Sequence, residues 1–307
     1  MDVLSEIRKY FAEVKNDRAM KITSLEDNFP AWVLKHDGWY GVGIPLLDPN
    51  LLISEKFSNV KLWSQNITIG DKEIPLLLLT STAESLRLEF SSVCAQFIDP
   101  GINGFERERL IANPTEWWGK WKMLLGNSVQ EKSVYSILGE MLAFEQLIIE
   151  GKTPIWSALT QSTHDIETET GSYEVKSTIV RYGATVTINS QFQLQLQQTA
   201  GTELKLIFCR FEQSEIGISV SDVVERLASR GIDKKQLNLG LEKYDLEEGC
   251  SARNEKYKLL EIRKYSIDNS FPSITANSFV DSKIPEAIRE INYKIDLIGI
   301  SYENWVL

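Results

Sequence analysis

The stretch that decides the fold is HDIETETGSYEVK, residues 164–176 of a chain of 307 residues. It contains two strand candidates, and residues 169–172 between them have the composition of a hairpin turn. Side chains alternate along a strand with a period of two, so Glu174 and Lys176 project from the same face. Asp165 lies across from either Glu174 or Lys176, and both registers place it on that face. The stretch therefore predicts two carboxylates and an amine in one site.

This arrangement suits a hard divalent cation. Mg²⁺ takes oxygen ligands and is usually held by one or two carboxylates, several waters and substrate phosphates. Opposed side chains in a hairpin lie about 4.5 to 5.5 Å apart at Cβ, so one cation reaches both Asp165 and Glu174. Glu167 is the rival ligand, because it lies two residues further along the same strand face. We favour Asp165, since it is nearer the apolar start of the strand, whereas Thr168 and Glu169 are typical of turn entry.

A helix with clear end signals precedes the hairpin. Ser128 followed by Glu131 fits a capping box, and Gly151 suits the far end. An apolar stripe runs along this helix, formed by Val134, Ile137, Leu138, Met141, Phe144 and Ile148. Glu140 borders the stripe, where desolvation raises the pKa of a carboxyl unless a cation is near. Glu140 is thus either a third acid of the site or an ordinary acid at the rim of the core.

These residues resemble the PD-(D/E)XK nuclease superfamily, which has a restriction-endonuclease-like fold. The resemblance implies a core of helix, three-stranded meander, helix and strand. The metal-binding acid would stand on the first core strand, the E-x-K on the second and an additional Glu on the first helix. Residue by residue, these become Asp165, Glu174 with Lys176, and Glu140. His164 stands where the superfamily usually has proline.

The resemblance predicts an α/β (α+β) fold with a restriction-endonuclease-like core, a mixed sheet flanked by helices. We place an amino-terminal mainly β region with flanking helices at residues 1–126 and the nuclease core at residues 127–215. A carboxyl-terminal α/β extension follows at residues 216–307. More narrowly, the chain resembles bacterial PD-(D/E)XK motif proteins, and this likeness reaches residues 271–274 and 291–297.

Local patterns predict several further elements. Helical spacing of apolar residues predicts an amphipathic helix over residues 3–14. Short apolar runs separated by turn residues favour antiparallel strands over residues 32–80. Alternation predicts a strand at residues 86–90, and residues 184–188 and 204–210 are expected to be the third and final core strands.

Residues 190–199 fit either a helix or a strand. Apolar residues alternate as in a strand at Phe192, Leu194 and Leu196. The resemblance instead implies a helix, and we follow it, with Asn189 or Ser190 as the cap. Gln191 and Gln193 would then touch DNA or a metal-bound water, or remain solvated polar side chains.

The formal net charge is −10, from 33 Lys and Arg against 43 Asp and Glu. Affinity for nucleic-acid backbones comes largely from Lys and Arg, so this charge argues against indiscriminate nucleic-acid binding. It is compatible with local positive charge, with bound metal ions or with a partner that holds the DNA. The one obvious cluster of basic residues comprises Arg226, Arg230, Lys234, Lys235 and Lys243. A solvated helix face explains this cluster about as well as a nucleic-acid contact does.

Other features limit the compartment and the chemistry. The three separated cysteines, Cys94, Cys209 and Cys250, give neither a disulfide framework nor a Cys-rich zinc site. No run approaches the roughly 18 apolar residues of a membrane span, and the amino terminus lacks a signal-peptide pattern, so we expect a cytoplasmic protein with no membrane association. A histidine-rich metal site is excluded because His36 and His164 are the only histidines. ATP-binding P-loop and G-x-S-x-G patterns do not occur.

The resemblance implies phosphodiester hydrolysis. Asp165 and Glu174, with the Val175 carbonyl, would hold one or two Mg²⁺ ions, with Mn²⁺ as a substitute, that polarise the phosphate and activate a water. Lys176 would orient or deprotonate that water and offset charge in the transition state. Glu140 would bind a second ion or an outer-shell water.

The sequence therefore predicts a Mg²⁺-dependent DNA endonuclease. The resemblance places it in a bacterial restriction or antiphage defence system, beside helicase, ATPase or methyltransferase subunits, and a homodimer would supply two active sites for two strands. The alternative is a catalytically silent nuclease-like subunit for DNA recognition or assembly, which the acidic charge fits. The remaining alternative for the whole triad is an exposed hairpin with a cross-strand ion pair, which the preceding helix and the family resemblance disfavour.

Overall fold

A computed structural model describes most of the chain, namely residues 2–36, 38–125, 133–160, 162–195 and 202–305. The chain divides into two compact units. The first unit comprises residues 1–129 and 247–251, and the second comprises residues 130–246 and 252–307. Within the described residues, no helix is both long enough and apolar enough to cross a membrane.

The first unit is built on a six-stranded antiparallel sheet. Its strands are β1 (Arg18–Lys21), β2 (Trp32–His36), β3 (Trp39–Pro45), β4 (Ser54–Phe57), β5 (Val60–Ile69) and β6 (Lys72–Ser81). They lie in the order β1-β2-β3-β6-β5-β4. The helices of this unit are α1 (Val3–Glu13), α2 (Arg87–Ile98), α3 (Phe105–Ala112) and α4 (Pro114–Leu125). The predicted amino-terminal helix and antiparallel strands are confirmed.

The core of the first unit shows why α1 and α2 form. The Asp2 side chain accepts a hydrogen bond from the Ser5 N–H at 2.8 Å and caps α1, whose Ile7 and Phe11 are buried against the sheet. The strand predicted at residues 86–90 is wrong, because residues from Arg87 onward are helical. Helical spacing buries Phe90 together with Cys94 one turn later and Phe97 two turns later. Leu86 and Leu88 remain exposed.

The second unit contains the predicted core. Its helices are α5 (Val134–Ile149), α6 (Val220–Ser229) and α7 (Lys234–Glu242). Its strands are β7 (Ile155–Trp156), β8 (Ile166–Thr168), β9 (Gly171–Thr178), β10 (Thr185–Ile188), β11 (Glu203–Ile218), β12 (Tyr257–Ile267), β13 (Tyr293–Asp296) and β14 (Glu303–Asn304). The main sheet has the order β14-β12-β11-β9-β8-β7, and β10 pairs with β13 separately. Only the β9–β11 pair of the described strands is parallel, so the sheet is mixed and the predicted α/β fold is confirmed.

The three-stranded meander begins one strand earlier than predicted. Ile155 pairs with Glu167 and Trp156 with Ile166, so β7, β8 and β9 form the antiparallel meander. The strand predicted as its third member, β10, leaves this sheet because it pairs with β13 over a distance of about a hundred residues in sequence. The expected final core strand is confirmed as β11, and strands β12 and β14 continue its sheet into the range predicted as an extension.

The helix predicted after the third core strand is wrong where the structure describes it. Residues 191–194 form turns, with the Gln193 N–H bonded to the Ser190 carbonyl at 3.2 Å. Leu194 is buried in the cluster that also contains Ile188, which fixes the turn to the core. Residues 196–199 of this prediction, and the proposed helix cap at Ser128, lie outside the described residues.

Candidate active site

The β8–β9 hairpin carries the site. The register pairs Ile166 with Tyr173 and Thr168 with Gly171, so the turn consists of two residues. The Thr168 hydroxyl donates to the Gly171 carbonyl at 2.8 Å and accepts from the Gly171 N–H at 3.1 Å. A Cβ on Gly171 would lie 2.5 Å from the Glu203 carbonyl oxygen, so glycine allows β11 to pair closely here. The predicted hairpin is confirmed.

Asp165 lies immediately before β8 and turns its carboxylate toward β9. Its Oδ2 accepts a hydrogen bond from the Val175 N–H at 2.8 Å, and the residue is buried. Its main-chain carbonyl accepts from the Ser157 N–H at 2.9 Å, which fixes the backbone. The register ends at the Ile166–Tyr173 pair, and its continuation by one residue would set Asp165 opposite Glu174.

Glu174 and Lys176 point into the same space, as predicted from their spacing. The Glu174 side chain is 1% exposed, and its Oε1 lies 2.8 Å from Lys176 Nζ. Lys176 Nζ is also 3.4 Å from the Gln193 side-chain oxygen, which accepts from the Asn189 N–H at 2.8 Å. Lys176 is therefore held between a buried acid and a turn.

Gln191 and Gln193 have different surroundings. Gln191 is buried, and Gln193 contacts the amine of Lys176. The predicted contact of these side chains to DNA or a metal-bound water stays a prediction, and the structure places the Gln193 side-chain oxygen 3.4 Å from Lys176 Nζ.

Glu167 shares the strand face of Asp165 but contacts other residues. Its Oε2 accepts a hydrogen bond from the Ser172 hydroxyl, and its Oε1 lies 3.2 Å from His164 Nδ1. His164, which stands at the usual proline position, is buried. These contacts draw Glu167 toward the turn and away from Lys176, which favours Asp165 as the ligand.

Glu140 is on the helix that packs on the other face of the sheet. Side chains of β9 alternate, and a Cβ at the neighbouring Gly139 would meet Ser177 Oγ, on the face opposite Lys176. Glu140 is buried, and its Oε2 accepts from Trp156 Nε1 at 2.9 Å. Across the described part of the chain, no three His, Cys, Asp or Glu side chains form a group that could hold a metal ion. The part of Glu140 in metal binding stays a prediction.

The hairpin nevertheless fits a hard cation. Asp165 and Glu174 are buried carboxylates in opposed positions, and Mg²⁺ needs only one or two carboxylates besides waters and substrate phosphates. The N–H and C=O of a strand residue point toward the same neighbouring strand, so the Val175 carbonyl faces the side on which Asp165 binds the Val175 N–H. The donor set, two carboxylates and a carbonyl, consists of oxygen only.

Most side chains of the predicted basic cluster are paired with acidic side chains. Arg226 and Arg230 bind the carboxylate of the buried Glu145 at 2.6 and 3.3 Å, and Lys234 binds Glu225 at 2.7 Å. The two arginines thus neutralise an acid of α5, which is a structural role.

Two other cations share the face of Lys176. Lys176 pairs with Phe208, which pairs with Arg263, and Arg210 lies two residues after Phe208. Arg210 and Arg263 both bind Glu261, at 2.6 Å each. Burial acts to raise the pKa of Glu261, but the hydrogen bonds and charges of the two arginines outweigh it and lower that pKa. The sequence did not single out either arginine, because they become neighbours only through strand pairing.

Comparison with known proteins identifies one family. Residues 32–298 match the model of the DUF4420 family, described as "Putative PD-(D/E)XK family member". The match covers most of both units and includes the whole β8–β9 hairpin. No curated protein and no solved structure gives a significant match.

Proposed function

The chain belongs to this PD-(D/E)XK family, and we propose that it is a metal-dependent deoxyribonuclease that hydrolyses phosphodiester bonds at the β8–β9 hairpin. The observation that carries the proposal is the convergence of Asp165, Glu174 and Lys176 on one sheet face. A nuclease of this class needs oxygen ligands for a cation beside a fixed amine, and the hairpin supplies both.

The burial of two opposed acids supports a cation site over a purely structural role. Like charges directly across a strand pair are destabilising, and removal from water adds to that cost. Asp165 and Glu174 are both buried in this relation, with Lys176 as the nearby cation. A divalent cation bound between them would reduce the repulsion between the two carboxylates.

Asp165, Glu174 and the Val175 carbonyl would hold the cation, which we propose to be Mg²⁺ with Mn²⁺ as a substitute. When bound, such an ion polarises a phosphate oxygen and lowers the pKa of a coordinated water. Burial of the two carboxylates keeps them fixed and limits access by bulk water. Their position on paired strands keeps the spacing between them constant.

Lys176 would act on the reacting phosphate. Its Nζ lies 2.8 Å from the Glu174 carboxylate and is held by Gln193 from the other side. An ammonium group in this position can donate a hydrogen bond to the phosphate or to the attacking water and offset charge that develops in the transition state. Gln193 would preserve the orientation of the amine when Glu174 binds a cation.

A context in bacterial restriction or antiphage defence is also a proposal. The net charge of −10 favours DNA held jointly with a partner, and helicase, ATPase or methyltransferase subunits are the partners that the family resemblance suggests. A homodimer would place two hairpins at the two strands of a duplex.

The second candidate is a nuclease-like subunit that recognises DNA without cutting it. Two observations favour it, the net charge of −10 and the hydrogen bond that ties Glu140 to Trp156. It predicts DNA binding that is unaffected by loss of Asp165 or Lys176.

Cleavage assays separate the two candidates. Supercoiled plasmid and phage DNA would be incubated with and without Mg²⁺ or Mn²⁺, with wild-type protein and the Asp165→Asn and Lys176→Ala variants. Asp296→Asn and Lys258→Ala, both at exposed positions of the same unit, are the matched controls. We expect metal-dependent cleavage that both site variants lose and both controls keep. Binding without cleavage in every protein, unchanged in the site variants, would reject the nuclease and favour the recognition subunit.

A further inference from the structure

The loop between β9 and β10 exposes an unusual set of side chains. Ile179, Val180 and Tyr182 are 51%, 62% and 80% exposed. The guanidinium of Arg181 lies 5.9 Å from the centre of the Tyr182 ring, a cation–π distance. Adjacent exposed apolar side chains around a cation are typical of contact surfaces.

A buried arginine anchors the backbone of this loop. Arg210 of β11 donates from Nη1 to the Val180 carbonyl and from Nη2 to the Gly183 carbonyl at 2.5 Å. Its Nε donates to Glu261 at 2.6 Å, so the guanidinium itself is fixed. Gly183 has φ +85°, a conformation that glycine adopts without strain, and it turns the chain back into β10. The loop is thus held in one shape while its apolar side chains point outward.

The anchor lies on the face that carries the candidate active site. Thr178 pairs with Arg210, and Lys176 pairs with Phe208, in the parallel β9–β11 ladder. Directly paired side chains share a face of a sheet. The Arg210 guanidinium also lies 5.2 Å from the centre of the Phe208 ring, which is consistent with that placement. The loop therefore folds back at the end of the catalytic strand, on the side of Lys176.

We propose that the β9–β10 loop, residues 179–183, grips the DNA substrate beside the cleavage site. Arg181 would neutralise a backbone phosphate, and Ile179, Val180 and Tyr182 would lie against the minor groove as an apolar wedge. This inference rests on the proposed function, because it takes a phosphate at Lys176 as its reference point.

The length of the strand sets where the contact falls. Ile179 lies three positions after Lys176, which at about 3.3 Å per residue is roughly 10 Å along the strand. Successive phosphates on one strand are about 3.4 Å apart along the helix axis, so a duplex whose axis runs along β9 would meet the loop about three base pairs from the scissile phosphate. A duplex that ends closer than this on the loop side would lose the contact.

The test measures DNA binding and cleavage separately. Dissociation constants would be measured in Ca²⁺ for duplexes that extend one to ten base pairs beyond the cleavage position, together with kcat and KM in Mg²⁺. The variants are Arg181→Ala, Arg181→Lys and Tyr182→Ala. Arg289→Ala and Ile216→Ala, at exposed positions of the same unit, are the matched controls.

We expect Tyr182→Ala to raise Kd and KM about tenfold with little change in kcat. Arg181→Ala should reduce the magnitude of the slope of log K against log salt by about 1. Arg181→Lys should restore the wild-type slope. On duplexes that extend less than about three base pairs on the loop side, wild type and loop variants should have the same Kd and KM. The controls should stay within about twofold of wild type.

The outcomes separate this inference from the proposed function. Cleavage by the wild type with unchanged Kd and KM in all loop variants would overturn the loop contact and leave the nuclease standing. Binding that depends on Arg181 and Tyr182 without cleavage by any protein would overturn the nuclease and support the loop contact. Absence of DNA binding by the wild type would overturn the loop contact.

Discussion

Helix α5 and the β8–β9 hairpin each bury two acidic side chains, yet they use them differently. On the helix, each acid has donors of its own and serves packing. On the hairpin, Glu174 lies beside Lys176 on one sheet face, and the Asp165 carboxylate accepts from the Val175 N–H of the same strand. Burial alone therefore does not set one acid apart from another in this chain, and we propose the two acids of the hairpin as the functional ones because they lie on the face of Lys176.

The acids of α5 are satisfied separately. Glu140 accepts from the indole of Trp156, and Glu145 binds Arg226 and Arg230. Glu145 comes five residues after Glu140, so the two carboxylates point in different directions around the helix. These contacts hold β7 and α6 against α5.

The largest expected effect is on catalysis, and it tests the comparison directly. Glu174→Gln removes a cation ligand from the hairpin, and we expect DNA cleavage to fall at least about a thousandfold. Glu140→Gln makes the same chemical change on the helix and still accepts from Trp156, so cleavage should stay within about threefold. Initial cleavage rates on plasmid DNA measure both. Equal losses in the two variants would mean that the helix acid belongs to the site.

A buried acid in the first unit provides a reference for a structural carboxylate. Burial acts to raise the pKa of Glu6, but hydrogen bonds from Ser24 and Thr23 outweigh it and lower that pKa to about 2 from 4.5. The stabilisation is therefore complete above pH 4.5 and is lost as the pH falls toward 2, and it amounts to about 3 kcal/mol. Urea unfolding of wild type and Glu6→Gln between pH 6 and pH 2 measures it. Parallel stability curves for the two proteins would contradict this account.

A smaller effect on stability is expected when the hydrogen-bond donor of Glu140 is removed. Trp156→Phe deprives the Glu140 carboxylate of its indole N–H in a buried setting, and we expect the free energy of unfolding to drop by about 2 to 3 kcal/mol. Adding Glu140→Gln should recover part of the loss, since a neutral amide costs less to bury than a carboxylate. Chemical denaturation gives both values. Failure of the double variant to recover any stability would show that the loss comes from packing alone.

Local pattern predicted the hairpin, α1 and the strands of the first unit, because each depends on neighbours in sequence. The candidate site was predicted from the same local pattern. The strand period alone places Glu174 and Lys176 on one face, and the hairpin turn brings Asp165 to that face. The interval from 86 to 90 was misread because its short alternation fits a strand, although burial is decided by the helical turns that follow it.

The features that sequence did not predict depend on distant partners. The meander starts at β7, a strand of two residues whose pattern is too short to recognise. Strand β10 joins β13, and the turn at 191–194 is set by the burial of Leu194. Arg210 reaches the β9–β10 loop only because β9 and β11 are paired. No local periodicity in the sequence predicts these contacts.

Cation binding by the folded protein tests the central claim most directly. Titration with Mn²⁺, followed by its electron paramagnetic resonance signal and by the shift in unfolding temperature, would compare wild type, Asp165→Asn and Glu140→Gln. We predict one site class in the wild type, lost in Asp165→Asn and kept in Glu140→Gln, with thermal stabilisation that follows occupancy. Equal Mn²⁺ binding by wild type and Asp165→Asn would contradict the assignment of the hairpin as the metal site.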